Sequence, residues 1–155
     1  MGPHPGPPEM KIRDTTPDDH AAWLTLWQGF LTFYETDLDP AITDYTWTRL
    51  IDPANPMKMR LAEADARLVG FAIHQHHPST WVLGDDCYLE DLYVAPDQRG
   101  KGIGRALMED LQQMAKSNGW NRLYWHTNHD NTAARRLYDS FTPADGFIRY
   151  RFALK

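Results

Sequence analysis

The segment Val94-Ala95-Pro96-Asp97-Gln98-Arg99-Gly100-Lys101-Gly102-Ile103-Gly104-Arg105 sets alternate glycines between an apolar run and a helical pattern. Glycine lets the backbone approach a ligand closely, and the N–H groups that open a helix attract an anion. A pyrophosphate is the natural occupant, held by Arg99, Gly100, Lys101, Gly102, Ile103, Gly104 and Arg105. The same turn also serves as a plain helix entry. Two familiar nucleotide loops do not fit: a Walker loop needs Gly-Lys-Ser/Thr, and the dinucleotide fingerprint needs a further glycine where Lys101, Ile103 and Arg105 interrupt.

Other reactive side chains are less promising. Cys87 has no neighbouring His in the sequence, and a lone strand cysteine usually packs as a small hydrophobe. His74, His76 and His77, like His126 and His129, are joined by no Cys or carboxylate at ligand spacing, so no metal is expected.

The elements that position the loop follow from periodicity. Lys11 to Asp14 reads as a short strand, and Thr16-Pro17-Asp18-Asp19 as N-cap, Pro at N1 and acids in the first turn of a helix. Trp23, Leu26, Trp27, Phe30, Leu31 and Tyr34 then follow along one helical face, a core-facing stripe for most of them. A shorter helix is expected over Asp44 to Leu50. Met57 to Ala64 and Leu68 to Gln75 flank the turn Asp65-Ala66 as a hairpin, continued by Cys87 to Val94. Gly102 to Ser117 reads as a helix capped by Gly119, Leu123 to His126 as a strand, Thr132 to Ser140 as a helix and Phe147 to Leu154 as a last strand. The order is α/β of the α+β kind: a mixed, mostly antiparallel twisted sheet flanked by helices.

The 155 residues, 42% hydrophobic and 24% charged, fit one domain over 10–155. Residues 1–9, rich in Pro and Gly, read as a disordered tail; Gly6 stands where a myristoylation motif needs Ser or Thr. A net charge of -5 without a basic stripe argues against nucleic acid. No apolar run approaches a membrane span, the N-terminus lacks a secretory pattern, and a single cysteine suits a cytoplasmic setting.

Arg99, Gly102 and Gly104 match the R/Q-x-x-G-x-G/A pattern of the GNAT superfamily of N-acetyltransferases, and Asn131-x-x-Ala134-x-x-x-Tyr138 matches its second motif. The chain resembles that superfamily from about Lys11 to Leu154. Tyr88-Leu89-Glu90-Asp91-Leu92-Tyr93-Val94, Trp81 and Phe33-Tyr34-Glu35 look most like the spermidine/spermine N-acetyltransferases and the yeast histone/polyamine type. Phe141 to Phe147 is longer than the compact Leu-Gly-Phe common in the superfamily.

The resemblance implies an enzyme that moves acetyl from acetyl-CoA to a primary amine by direct attack. The acceptor would be a polyamine, a lysine-like small amine or a protein lysine. An alkylammonium must lose a proton first, which the resemblance gives to Glu90 through a water. Tyr138 would protonate the leaving thiolate. Backbone N–H groups along Leu92, Tyr93 and Val94 would hold the oxyanion if the strand bulges there. Asn131 and Ala134 would bind the pantetheine arm, Asn131 equally reading as a helix cap. Tyr34, Glu35, Trp81 and Asp91 would line the acceptor groove, where Glu35, Asp37, Asp39, Asp85, Asp86 and Asp91 favour a cation or simply solubilise the surface. The superfamily's habit of pairing a C-terminal strand across a dimer implies a homodimer. A non-catalytic acyl-CoA-binding regulatory module is the alternative reading.

Overall fold

The computed structural model describes residues 10–155; the N-terminal tail expected over residues 1–9 lies outside the described residues. They form two compact units, the second beginning at His126.

The first unit is a five-stranded sheet in the order β1-β2-β3-β4-β5. The strands are β1 (Met10–Asp14), β2 (Lys58–Ala64), β3 (Arg67–Pro78), β4 (Asp85–Val94) and β5 (Leu123–Trp125). Every pairing is antiparallel except β4 with β5, which is parallel. The hairpin turns where expected: Asp65 and Ala66 both take positive φ, 51° and 62°. Two successive left-handed residues match the twist of a tight β-hairpin.

Helix α1 (His20–Phe33) follows a one-turn helix at Pro17–Asp19. The entry is fixed by Asp19, whose carboxylate accepts the Thr16 N–H (2.8 Å) and both arms of Arg13 (2.9 and 2.8 Å). Arg13 holds that carboxyl down at about 2. The stripe read from the sequence is the core: Trp23, Leu26, Trp27 and Leu31 are buried. They pack with Phe71, Ile73 and Tyr93 of the sheet. Helix α2 (Pro40–Leu50) starts four residues before the expected Asp44, because Asp39 caps it by accepting the Ala41 N–H (2.9 Å) and Pro40 suits a first turn.

Helix α3 (Ile103–Asn118) covers the opposite face. Consecutive strand residues alternate between faces. Phe71 meets Trp27 and Phe30 of α1, whereas a Cβ at Gly70 would meet Ile103 and Leu107 of α3. Gly70, Ala72 and His74 therefore face α3, and Phe71 and Ile73 face α1. Arg60 clamps α3 to the sheet through both carboxylate oxygens of Asp110 (2.9 Å each). Gly119, at φ 72°, ends the helix in the left-handed conformation expected of it.

The second unit carries α4 (Thr132–Asp139). The strand expected over 147–154 does not form. Ile148, Tyr150, Phe152 and Leu154 have strand spacing, but a strand exists only through a ladder, and no strand pairs with this segment among the described residues. These side chains are exposed instead.

Candidate active site

Strand β4 carries one residue more than its partner. Asp91 stands opposite Ile73 and Leu89 opposite His74, so Glu90 is left over as a bulge. Ile73 and His74 point to opposite faces, and so do Asp91 and Leu89, although residues two apart in a regular strand share a face. Glu90 and Asp91 thus both fall on the α1 face. The bulge lies earlier than the Leu92 to Val94 stretch expected to carry it, because the adjacent Glu-Asp pair is what breaks the alternation.

The same residue marks an edge. The last pair between β4 and β5 is Leu89↔Trp125, so β4 runs on from Glu90 to Val94 without a β5 partner. The Ala95 N–H donates to Val69 of β3 (2.8 Å). Backbone direction alternates along a strand, so Leu92 and Val94 turn their N–H groups to the open edge and Tyr93 turns its own toward β3. Of the three backbone donors expected from the sequence, Leu92 and Val94 are available and Tyr93 is not. The Tyr93 ring is buried against Phe30 and Phe71.

Burial pushes the Asp91 carboxyl up to about 7, with the neighbouring Glu90 charge adding to the effect. Tyr34, at the end of α1 and 45% exposed, is raised too, first by burial and then by Asp91. The fold therefore brings Tyr34, Glu90 and Asp91 together. Glu35 follows Tyr34 at φ 51°, a left-handed cap in which its N–H bonds Thr32 and that of Thr36 bonds Leu31. Trp81 lies in the loop beyond the Pro78↔Asp85 pair, 85% exposed. Five residues of β4 separate Asp85 from Glu90, about 17 Å of strand.

At the glycine loop, Gly100 and Gly102 hold φ of 78° and 81°. A Cβ at either would meet nothing within 4 Å, so backbone conformation requires the glycines and open space lies before the loop. Gly102 caps α3, whose first N–H groups, at Ile103, Gly104 and Arg105, have no intrahelical acceptor. Lys101 is exposed and its Nζ donates to Gln98 (3.3 Å). The Arg99 Nε donates to the Val94 carbonyl (3.2 Å), and its guanidinium lies over Phe33 (5.1 Å) and Tyr93 (5.6 Å). Left-handed glycines, helix-start N–H groups and two cations suit a pyrophosphate.

In the second unit, the Asn131 side chain accepts the Ala134 N–H (3.3 Å) and caps α4. Half-buried Tyr138 lies two turns along the helix.

Covalent catalysis by Cys87 is disfavoured, since burial pushes its thiol up to about 12. Among the described residues no group of three His, Cys, Asp or Glu side chains is arranged to hold a metal.

Residues 20–141 match the model of the acetyltransferase (GNAT) family. The chain belongs to that family. A D-amino-acid N-acetyltransferase of Saccharomyces cerevisiae is 34% identical over 131 residues, 82% of this chain and 80% of the relative. A thialysine N-epsilon-acetyltransferase of Bos taurus is 33% identical over 90 residues, 55% of this chain and about half, 52%, of the relative. An aminoglycoside N-acetyltransferase solved in complex with CoA shares the fold, with a TM-score of 0.76 and 20% identity over 96% of this chain and 97% of that one. The protein is thus an N-acetyltransferase on a GNAT fold, and GNAT acetyltransferases draw the acetyl group from acetyl-CoA. No helix among the described residues is long and apolar enough to cross a membrane.

Proposed function

We propose that this acetyltransferase, one domain over 10–155, acetylates a cationic primary amine by direct attack on the thioester of acetyl-CoA. One observation carries the reading: the bulge sets Glu90 and Asp91 side by side beside Tyr34, where β4 has lost its β5 partner. Glu90, exposed, takes the proton of the arriving ammonium, directly or through a water. Glu35 draws the cation in, Asp91 adds its charge once it ionises above about 7, and the Tyr34 ring forms a wall for its carbon chain.

Acetyl-CoA supplies the electrophilic carbonyl. The loop from Arg99 to Arg105 holds its pyrophosphate, and the Leu92 and Val94 N–H groups serve the pantetheine amides and the developing oxyanion. Tyr138 returns a proton to the thiolate, with Asn131 and Ala134 at the head of its helix guiding the pantetheine arm. No metal enters this chemistry.

The acceptor class spans polyamines, lysine-like amines and accessible protein lysines. The two curated relatives named above are described as acting on D-amino acids and on thialysine, which favours small amino-bearing molecules. A homodimer formed through the C-terminal segment, in the cytoplasm, completes the proposal. Incubating the enzyme with acetyl-CoA and, separately, spermidine, lysine, thialysine, a D-amino acid and a lysine-bearing peptide tests it. Free CoA release with at least one amine is expected, and none with any would overturn it.

A further inference from the structure

Arg99 stands where the glycine loop meets the end of α1. Ala95 turns its N–H to Val69 of β3 (2.8 Å), so Val94, one residue earlier, turns both its N–H and its carbonyl to the open edge of β4. The Arg99 Nε donates to that carbonyl (3.2 Å), which anchors the guanidinium beside the edge. From there it lies over Phe33 (5.1 Å) and Tyr93 (5.6 Å).

A circle of rings closes on it. Phe33 meets Tyr34 edge-on (5.1 Å, 83°), Tyr34 meets Phe30 (4.9 Å), and Phe30 meets Tyr93 edge-on (6.0 Å, 86°). Tyr93 is buried in the core and Phe30 packs against it, whereas Phe33 and Tyr34, at the end of α1, are 50% and 45% exposed. The core therefore fixes one half of the circle. Arg99 closes the other half, to which Tyr34 belongs.

A guanidinium serves two kinds of neighbour at once. Its flat faces stack on rings, while its N–H donors radiate from the edge and match the oxygens of a phosphate. Nε is taken by Val94; among the described residues the two terminal nitrogens bond no carboxylate or carbonyl oxygen, so they remain for an anion. Faces given to rings and an edge given to an anion do not compete.

We infer that Arg99 couples the two substrates. The pyrophosphate bound at its edge steadies the face on which Phe33 rests, and Phe33 is the positioning residue that passes the constraint to Tyr34 and so to the amine. The inference rests on the readings that the glycine loop holds the pyrophosphate and that Tyr34 walls the acceptor groove. In the free enzyme an arriving amine must order two exposed rings. With pyrophosphate on Arg99 that ordering is already done, so the amine binds more tightly. By reciprocity the amine tightens the pyrophosphate carrier by the same factor.

Calorimetric titration of the fastest amine of the panel above, into the enzyme alone and into the enzyme saturated with CoA, reads the coupling. CoA carries the pyrophosphate but no acetyl group, so nothing turns over. It should tighten the amine about fivefold in wild type, the lower end of ordinary coupling between sites. Phe33→Leu, which keeps an apolar side chain without the ring, should bind CoA as wild type does and lose the tightening. Phe33→Tyr, which keeps the ring, should retain it. Arg99→Lys keeps the charge toward the pyrophosphate but has no planar face, and should lose the tightening too. No tightening in wild type, or wild-type tightening in Phe33→Leu or Arg99→Lys, would overturn the inference. Failure of the underlying readings is separable. It shows as undiminished CoA affinity in Arg99→Gln or undiminished amine affinity in Tyr34→Ala, whatever Phe33→Leu does to the coupling.

Discussion

Glu90 and Asp91 are neighbours in sequence and share one face of the sheet, because β4 fits an extra residue between the pairs Asp91↔Ile73 and Leu89↔His74. A regular strand would send one acid toward α1 and the other toward α3. Sharing a face makes the two carboxyls compete for charge, and burial decides the outcome: Asp91 keeps its proton to about 7. Glu90, by contrast, is exposed.

The raised Asp91 carboxyl ties stability to pH. Its folded value of about 7 lies above the ordinary 3.8, so between those limits the native state binds more protons than the unfolded one. Stability then falls as pH rises through that window. Asp91→Asn should flatten the slope: the urea midpoint should drop less between pH 5 and pH 8 in the variant than in wild type. Equal drops would mean that Asp91 ionises in the folded protein as it does in the unfolded chain.

Gly102 sits at φ 81° with open space around it, so a valine there is strained by its backbone rather than by a neighbour. Gly102→Val should lower stability by about 1–2 kcal/mol and cancel the thermal stabilisation by acetyl-CoA. In wild type that stabilisation is about 2.7 kcal/mol at a hundred times the dissociation constant. A calorimetric shift as large in the variant as in wild type would reduce the loop to a helix entry.

Helix α1 lies so close to the sheet that a Cβ at Gly29 would come within 2.5 Å of the Tyr93 hydroxyl. Alanine favours a helix over glycine by about 1 kcal/mol, but overpacking a tight contact costs about 1–3 kcal/mol. The clash should win, and Gly29→Ala should be less stable in urea. In a Tyr93→Phe background, which removes the hydroxyl, the same change should be neutral or stabilising. Equal effects in both backgrounds would assign the cost to something other than Tyr93.

The sequence announced whatever depends on local pattern. The aromatic spacing of α1, the glycine-rich entry to α3 and the Gly119 cap each follow from one stretch of chain, and all stand in the structure. Pairing between distant stretches was not legible. The bulge at Glu90 depends on the register with β3, though the consecutive Glu90-Asp91 in an alternating strand was its trace. His77 and Tyr124 meet across 47 residues. The segment 147–154 shows the converse, strand spacing without a partner to pair it.

The central claim is that Glu90 takes the proton of the amine, and turnover against pH for wild type, Glu90→Gln and Tyr138→Phe tests it most directly. Glu90→Gln should lower kcat by about 10²- to 10⁴-fold at neutral pH. It should recover in part as pH approaches the amine pKa, because more of the substrate then arrives neutral. Tyr138→Phe, lacking the proton donor for the thiolate, should stay impaired or worsen in alkali. Parallel profiles for the three proteins, or wild-type turnover in the Glu90→Gln, Tyr138→Phe double variant, would contradict the account.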